Sequence, residues 1–188
     1  FLRAEHLWVV FDQPVTFDLT QLLANPGQIM GRPEQIAVAP GSALRIPLVA
    51  GIAPRVWRDG EAWVVDLRPQ AMRPDVALTV GTQQSSPQGP RVFVLAEGVG
   101  RTIVARDPEV GDLLFMVPLT PLSRGIEAER RYSQFNLLGS VQGLVVQPLI
   151  DELEVRILPD GVAITASKLS GLEVSKPLPG KTNEELVG

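Results

Sequence analysis

The sequence predicts an all-β protein made of two similar sandwich-like or barrel-like modules with only short helical turns. The chain contains 17 prolines and 17 glycines in 188 residues, and proline at this density opposes long helices but suits strand ends and edges. Apolar residues occur in short runs bounded by turn residues, which is typical of strands. A weak internal repeat then indicates that one β unit occurs twice.

The repeat aligns residues 47–63 with residues 148–164. Chance at a fixed offset would give roughly one identity in such a stretch, whereas the two segments share more. The identical positions pair Pro47, Leu48, Arg55, Asp59, Gly60 and Ala62 with Pro148, Leu149, Arg156, Asp160, Gly161 and Ala163. Each copy has the order strand, short link, strand, Asp-Gly turn, strand. We therefore expect an internal duplication in which residues 44–67 and 145–168 form equivalent strands.

In the first half, the continuous apolar run at 7–11 predicts a strand that is buried on both faces. Residues 18–24 suit one or two helical turns, capped by Asp18 or Thr20 and ended by Asn-Pro-Gly at 25–27. Asp59-Gly60 is typical of a two-residue hairpin loop. The remaining strands of this half are predicted at 35–38, 43–46, 53–58 and 61–67.

In the second half, apolar runs predict seven strands, and residues 126–132 suit a helical turn or a loop. The predicted strands are 91–95, 102–105, 113–117, 134–138, 144–146, 153–158 and 162–166. We expect residues 1–68 to form the first module and residues 91–167 the second. A linker rich in Pro, Gln and Ser joins them at 69–90, and residues 168–188 form a C-terminal linker or tail.

Composition excludes several function classes. The net charge of −4 and the pI near 5.1 leave no basic footprint for nucleic acid or anionic lipid. The absence of cysteine excludes disulfides, thiolate catalysis and Cys-ligated metals. The longest apolar run has about five residues, whereas a membrane-spanning helix needs roughly 20, so we expect no span in this segment. Because the sequence begins with Phe1 rather than Met, we expect a processed or partial form.

No motif predicts catalysis, a metal site or a cofactor. His6 is the only histidine, and a metal site or a Ser/His relay would need it to act almost alone. The acidic turn at 107–112 lacks the ligand spacing of a calcium loop. Asp151 and Glu152 point to opposite faces in an extended strand, which does not suit an acid–base pair. We therefore expect a protein that is not an enzyme.

Four residues are candidates for binding. Trp57 and Trp63 come close to cross-strand range across the Asp59-Gly60 turn, where they either pack in the core or form an exposed platform for a sugar or a partner. Arg55 and Arg156 are the charged pair that the repeat retains, and they either support the hairpins or contact an anion or a partner.

Residues 54–67, with the sequence PRVWRDGEAWVVDL, resemble the closing hairpin of AMIN domains, and Trp8 to Asp12 are similar to their opening strand. The resemblance covers about residues 5–68 and, less clearly, 91–166. It implies a small β-sandwich of the bacterial periplasm that binds peptidoglycan or localises its host protein. The whole chain is also similar in style to the β-rich region that precedes tetratricopeptide repeats in large envelope proteins of alphaproteobacteria.

Three functions follow as hypotheses. The first is a noncatalytic scaffold or protein-interaction module of the bacterial cell envelope, periplasmic and part of a larger protein or assembly, which docks through sheet edges and loops. The second is a peptidoglycan-binding or other glycan-binding module that uses Trp57, Trp63 and Arg55. The third, a hydrolase, rests only on scattered carboxylates.

Overall fold

A computed structural model describes residues 1–25, 27–87 and 89–166, and it confirms the all-β class. The first half contains the strands β1 Leu2–Arg3, β2 His6–Phe11, β3 Glu34–Ile36, β4 Ser42–Pro47, β5 Ile52–Asp59 and β6 Ala62–Pro69, with the short helix α1 Thr20–Ala24. The helical turn predicted within residues 18–24 thus forms at Thr20–Ala24, but its N-cap is Leu19 rather than the predicted Asp18 or Thr20. The predicted tail at 168–188 lies outside the described residues. Among the residues that the structure describes, no helix is long and apolar enough to cross a membrane.

The rest of the described chain is also built from strands. These are β7 Val76–Ala77, β8 Thr79–Gln83, β9 Arg91–Leu95, β10 Ile103–Arg106, β11 Leu113–Val117, β12 Arg124–Gly125, β13 Arg130–Arg131, β14 Phe135–Leu137, β15 Leu144–Pro148, β16 Leu153–Leu158 and β17 Gly161–Ala166. Residues 126–132 form a loop with the short strand β13, which is one of the two structures that the sequence left open.

The strands form four stacked layers. Hairpin β5-β6 covers the N-terminal sheet, which has the strand order β1-β2-β4-β3. The N-terminal sheet packs against the central sheet, β10-β11-β15-β14-β13, and the C-terminal sheet, β16-β17-β9-β8, covers the central sheet on its other side. A short parallel pair of β7 and β12 lies beside these layers.

Strand β2 is buried on both faces at Leu7 and Trp8, as the continuous apolar run predicts, whereas residues 9–11 of the run are only partly buried. Leu7 and Trp8 are each only 2% exposed. Leu7 packs with residues of β4 and hairpin β5-β6, whereas Trp8 packs with Leu114 and Met116 of β11 in the central sheet. Because neighbouring residues of a strand point to opposite faces, this one strand joins the outer hairpin to the centre of the molecule.

The central and C-terminal sheets form a closed β-sandwich. Its core contains Phe135 and Val146 from the central sheet and Val92, Val162 and Ile164 from the C-terminal sheet, all at 0% exposure. The corresponding space between the N-terminal sheet and hairpin β5-β6 is covered by only two strands. The outer layer of the first half is therefore narrower than that of the second.

Residues 69–90, for which the sequence predicts a linker, contribute strands β7 and β8. Strand β8 pairs with β9 over five residues, and the intervening Leu78 is buried in the core of the sandwich. Val76, Leu78 and Val80 recur at every second position, a spacing that suits a strand, although four prolines surround this stretch. This segment therefore takes part in the sheets of the second half.

The two Asp-Gly sequences lie at hairpin tips, but in different positions. In the first hairpin Asp59 pairs with Ala62, so the loop residues are Gly60 and Glu61 rather than the predicted Asp59-Gly60. Gly60 has φ +58°, which suits the first central position of a primed turn. In the second hairpin Leu158 pairs with Gly161, so Pro159 and Asp160 form the loop.

The two halves share part of their strand order. Strands β2, β4 and β3 are neighbours in the N-terminal sheet as β11, β15 and β14 are in the central sheet, and each set leads into a hairpin, β5-β6 or β16-β17. The hairpins differ in register and in neighbours, because β17 pairs with β9 while β6 pairs only with β5 among the described strands. The internal duplication stays a prediction.

Gly60→Val and Gly161→Val are expected to destabilise the protein for different reasons. At Gly60 a Cβ atom meets nothing within 4 Å, so only the left-handed backbone costs energy, about 1–2 kcal/mol. At Gly161 a Cβ atom would lie 2.1 Å from the backbone oxygen of Val94, so β17 must separate from β9. In thermal unfolding we expect Gly161→Val to lower the Tm considerably more than Gly60→Val. Equal melting of the two variants would contradict this register.

Candidate functional site: an apolar cleft under the first hairpin

An apolar cleft of about 250 Å³ opens between hairpin β5-β6, strand β2 and the central sheet. The hairpin contributes the inward-facing side chains of Val56, Trp63 and Val65, and β2 contributes Val9 to Phe11. The third wall consists of residues 116–120 and 141–145. The cleft lies where the outer layer of the first half is only two strands wide.

The hairpin side chains that line the cleft are only partly buried. Val65 and Trp63 remain partly exposed, whereas Val162 and Ile164, on the inner face of β17 in the second hairpin, are fully buried under the sandwich. Partly buried apolar surface that lines a concavity typically marks a binding groove.

Two charged side chains, Asp12 and Arg58, are among the described residues that line the cleft, and both have partners. The Arg58 guanidinium lies 4.2 Å from the centre of the Trp63 ring, a cation–π contact, and its Nη1 donates to the carbonyl of Glu61 at 2.6 Å. The Asp12 carboxylate accepts a hydrogen bond from the backbone N–H of Arg101 at 3.4 Å, and the Arg101 side chain donates to the main-chain carbonyl of Asp12 at 2.7 Å. The cleft is thus apolar inside and charged at its rim.

The structure does not bring Trp57 and Trp63 together. Trp57 pairs with Val64 and Trp63 pairs with Arg58, so the two indole rings lie on opposite faces of the hairpin. Trp63 faces the cleft, whereas Trp57 lies on the outer face and is 44% exposed. A two-residue loop at Asp59-Gly60 would also put Trp63 opposite Val56 and the two rings on opposite faces, so the expected proximity of the rings was wrong for either position of the turn.

The two arginines of the repeat are both exposed, and no contact joins them. Arg55 lies on the outer face of the hairpin, two residues before Trp57 on the same strand and opposite Asp66. Arg156 donates from Nε to Glu154 on its own strand at 2.9 Å. Of the four predicted residues, Trp63 alone lines the cleft.

The acidic turn at 107–112 holds the N-terminal sheet to the central sheet. Asp107 is 1% exposed, and its Oδ2 accepts a hydrogen bond from Nε of Arg3 at 2.9 Å. The Arg3 guanidinium also pairs with Asp112. The other Asp107 oxygen accepts from the backbone N–H groups of Glu109 and Val110. The turn therefore has a structural role that the sequence did not reveal.

A second arginine, which is buried, strengthens the same contact. Arg45 of β4 is 6% exposed and pairs with Glu34 of β3 at 2.7 Å and with Glu109 of the acidic turn. His6 lies beside Glu109 at 3.4 Å, and its Nδ1 lies 2.7 Å from the Ala4 carbonyl oxygen. These charged groups neutralise one another, and among the described residues no cluster of three metal-binding side chains occurs.

Comparison with known proteins gave no relatives. No protein-family model matches the chain, and neither a curated protein nor a solved structure matches it. The function is therefore argued from the cleft and its surroundings.

Asp107→Asn is expected to destabilise the protein in a pH-dependent way. Burial raises the pKa of Asp107, but the backbone N–H groups of Glu109 and Val110 and the charges of Arg3 and Arg45 outweigh it, so the pKa lies below its ordinary value of 3.8. The charged carboxylate thus stabilises the fold above that value, and this contribution is lost as the pH falls through the lowered pKa.

Urea unfolding checks this expectation. Near neutral pH we expect Asp107→Asn to lose about 2 kcal/mol, since Arg3 loses one of its two carboxylate partners and the buried hydrogen bonds at position 107 are no longer charge-assisted. The difference from the wild type should shrink below pH 3.8. Asp151→Asn, in an exposed turn, is the matched control and should stay within about 0.5 kcal/mol. If Asp107→Asn lowered the free energy of unfolding by the same amount at every pH, the charged Asp107 carboxylate would not be what stabilises the fold.

Proposed function

We propose that this chain is a noncatalytic protein-interaction module that binds a partner segment in the apolar cleft under hairpin β5-β6. The observation that carries the proposal is that the apolar lining at Val56, Trp63 and Val65 is partly exposed. In the second hairpin, by contrast, the inner-face residues Val162 and Ile164 are fully buried. An occupant would bury this apolar surface, and each Å² of buried apolar surface stabilises a complex by about 25 cal/mol.

The size and chemistry of the cleft favour a few side chains of a protein partner. Its volume of about 250 Å³ is below the range of roughly 300–1,000 Å³ that drug-sized ligands occupy. Its two charged rim residues, Asp12 and Arg58, already contact Arg101 and Glu61, and an apolar interior suits binding rather than proton transfer. A location in the bacterial periplasm or cell envelope, within a larger assembly, rests on the resemblance of residues 54–67 to AMIN domains.

Selection of peptides tests the proposal. A library of random twelve-residue peptides is selected on the immobilised chain, and the affinity of the enriched peptides is measured for two variants of strand β6. Val65→Arg places a charge in the cleft, whereas Val64→Arg places it on the outer face of the same strand. We expect peptides that bind the wild type and Val64→Arg alike but bind Val65→Arg at least about tenfold more weakly.

Thermal unfolding of both variants serves as the control for folding. If no peptide distinguishes Val65→Arg from Val64→Arg, or if none is enriched over the empty matrix, the cleft is not a peptide-binding site.

A second candidate function is glycan binding on the outer face of the same hairpin. Trp57 is 44% exposed there and Arg55 lies on the same face. An exposed indole ring stacks on the apolar face of a sugar, and a nearby guanidinium can contact a carboxylate or hydroxyl group. Peptidoglycan is the glycan that the AMIN resemblance implies.

Retention on purified peptidoglycan distinguishes the two candidates. For glycan binding on the outer face, Trp57→Ala abolishes retention, while Trp63→Ala, which alters the cleft, leaves it unchanged as long as the variant folds. In the peptide assay, the cleft proposal expects Trp63→Ala to weaken peptide binding and Trp57→Ala to leave it unchanged. If the wild-type protein is not retained, or if Trp57→Ala is retained like the wild type, glycan binding at Trp57 is excluded.

A further inference from the structure

We propose that the outer face of hairpin β5-β6 is a self-association surface, on which a second copy of this chain packs to form a weak dimer. The face carries Arg55, Trp57, Val64 and Asp66. It points away from the N-terminal sheet and lies on the side of the hairpin opposite the cleft. The inference goes beyond the proposed function, because it concerns a different surface and a different partner.

Trp57 is the apolar centre of this face. It is 44% exposed, whereas Trp63, on the other face of the hairpin, is partly covered and lies against Arg58. Trp57 is paired across the strands with Val64, which is partly exposed, so the two side chains form one apolar row. Tryptophan is among the residues that contribute most to the binding energy of protein interfaces. The row therefore provides an apolar centre for an interface.

The neighbouring row carries one charge that is paired and one that is not. Arg55 and Asp66 lie opposite each other across the strands. The Asp66 carboxylate, however, accepts a hydrogen bond from Nε of Arg68 at 2.6 Å and pairs with Nη2 of the same guanidinium through the same oxygen, Oδ2. Among the described residues Arg55 has neither a hydrogen bond nor an ion pair, and it is exposed. Its guanidinium can therefore pair with another molecule.

A twofold axis that runs along the strands matches the face to itself. Such an axis lays β5 of each copy on β6 of the other, so residues that are neighbours across the strands of one hairpin face each other between the copies. Trp57 then packs on Val64 of the second copy, and Arg55 meets Asp66 of the second copy. Both contacts occur twice, because a twofold interface uses the same patch on both subunits.

Charge complementarity selects this arrangement. A twofold axis across the strands, through the row of Arg55 and Asp66, would instead place each of these residues on its own copy, and like charges directly opposite each other are destabilising. A face that presents a guanidinium beside a carboxylate suits a partner with the same two charges in reverse order. A second copy supplies that order, whereas an acidic glycan would satisfy Arg55 but oppose Asp66.

The size of the face limits the strength of the dimer. The face is two strands wide, about 10 Å for strands that lie about 4.8 Å apart. It is therefore too small to bury the roughly 1,200–2,000 Å² of a stable interface, and we expect a weak, reversible dimer. Weak contacts of this kind become effective when several copies are held in one assembly, because linkage raises their effective concentration.

Charge reversal at the two positions tests the proposal on the full chain. Sedimentation equilibrium follows dimer formation at concentrations up to about 1 mM, where a Kd of that size still gives a measurable dimer. We expect Arg55→Asp and Asp66→Arg each to weaken self-association at least about tenfold, because each homodimer then contains two like-charge contacts. An equimolar mixture of the two variants should associate within about threefold of the wild type, because each reversed residue meets an opposite charge on the other chain.

Two further variants serve as controls. Arg156→Asp reverses an exposed arginine of the second hairpin, and Val65→Arg changes the cleft face of β6, so neither should alter self-association. Thermal unfolding checks that every variant folds. If a single reversal does not fold, a chain that carries both Arg55→Asp and Asp66→Arg decides, because it keeps opposite charges across the strands and should associate like the wild type.

The outcomes separate a second copy from other occupants of the face. A wild-type chain that stays monomeric at about 1 mM overturns the proposal. Reversals that leave self-association unchanged, or a mixture that does not restore it, also overturn the proposal. If the chain is monomeric and Trp57→Ala abolishes its retention on peptidoglycan, the face binds glycan instead. The cleft proposal is decided separately, by the peptide assay with Val65→Arg.

Discussion

The structure depends on the burial of strand β2 on both of its faces. Leu7 and Trp8 are adjacent in the sequence, yet they belong to two different apolar clusters. One face of this strand holds the hairpin layer, and the other face holds the central sheet. A side chain lost from either face would leave a cavity of a kind that typically costs 2–5 kcal/mol, and the layer beyond it would lose its support.

The same strand explains why the cleft exists. Its first half is enclosed by β1, β4 and the two neighbouring layers, whereas the apolar side chains of Val9 to Phe11 are only partly covered. In the second half of the molecule, β9 and β8 widen the outer layer, and the interior there is fully closed. The binding proposal arises from this difference between two otherwise similar arrangements.

Charged groups determine how the two sheets meet. Apolar packing between the N-terminal and central sheets is not directional, but Arg3 and Arg45 must each reach the acidic turn at 107–112. A buried arginine without its carboxylate is costly, so the ion pairs permit one relative position of the sheets. This arrangement uses the carboxylates of the turn internally, and it explains an acidic cluster that has neither a metal geometry nor a catalytic partner.

Local patterns in the sequence determined most of the strands, because period-two alternation and short apolar runs depend only on neighbouring residues. The all-β class, the turn of helix at Thr20–Ala24 and the double burial of β2 could be predicted in this way. Trp63 could be named as a candidate, but which face of the hairpin lines the cleft depends on how the hairpin packs against β2 and the central sheet. The strand alternation at residues 76–80 was obscured by the surrounding prolines. Tertiary structure alone decided the stacking of the layers and the pairing of Arg3 and Arg45 with residues some sixty to a hundred positions away. Each of these depends on which strands become neighbours, and the chain settles that through long-range packing that no local pattern records.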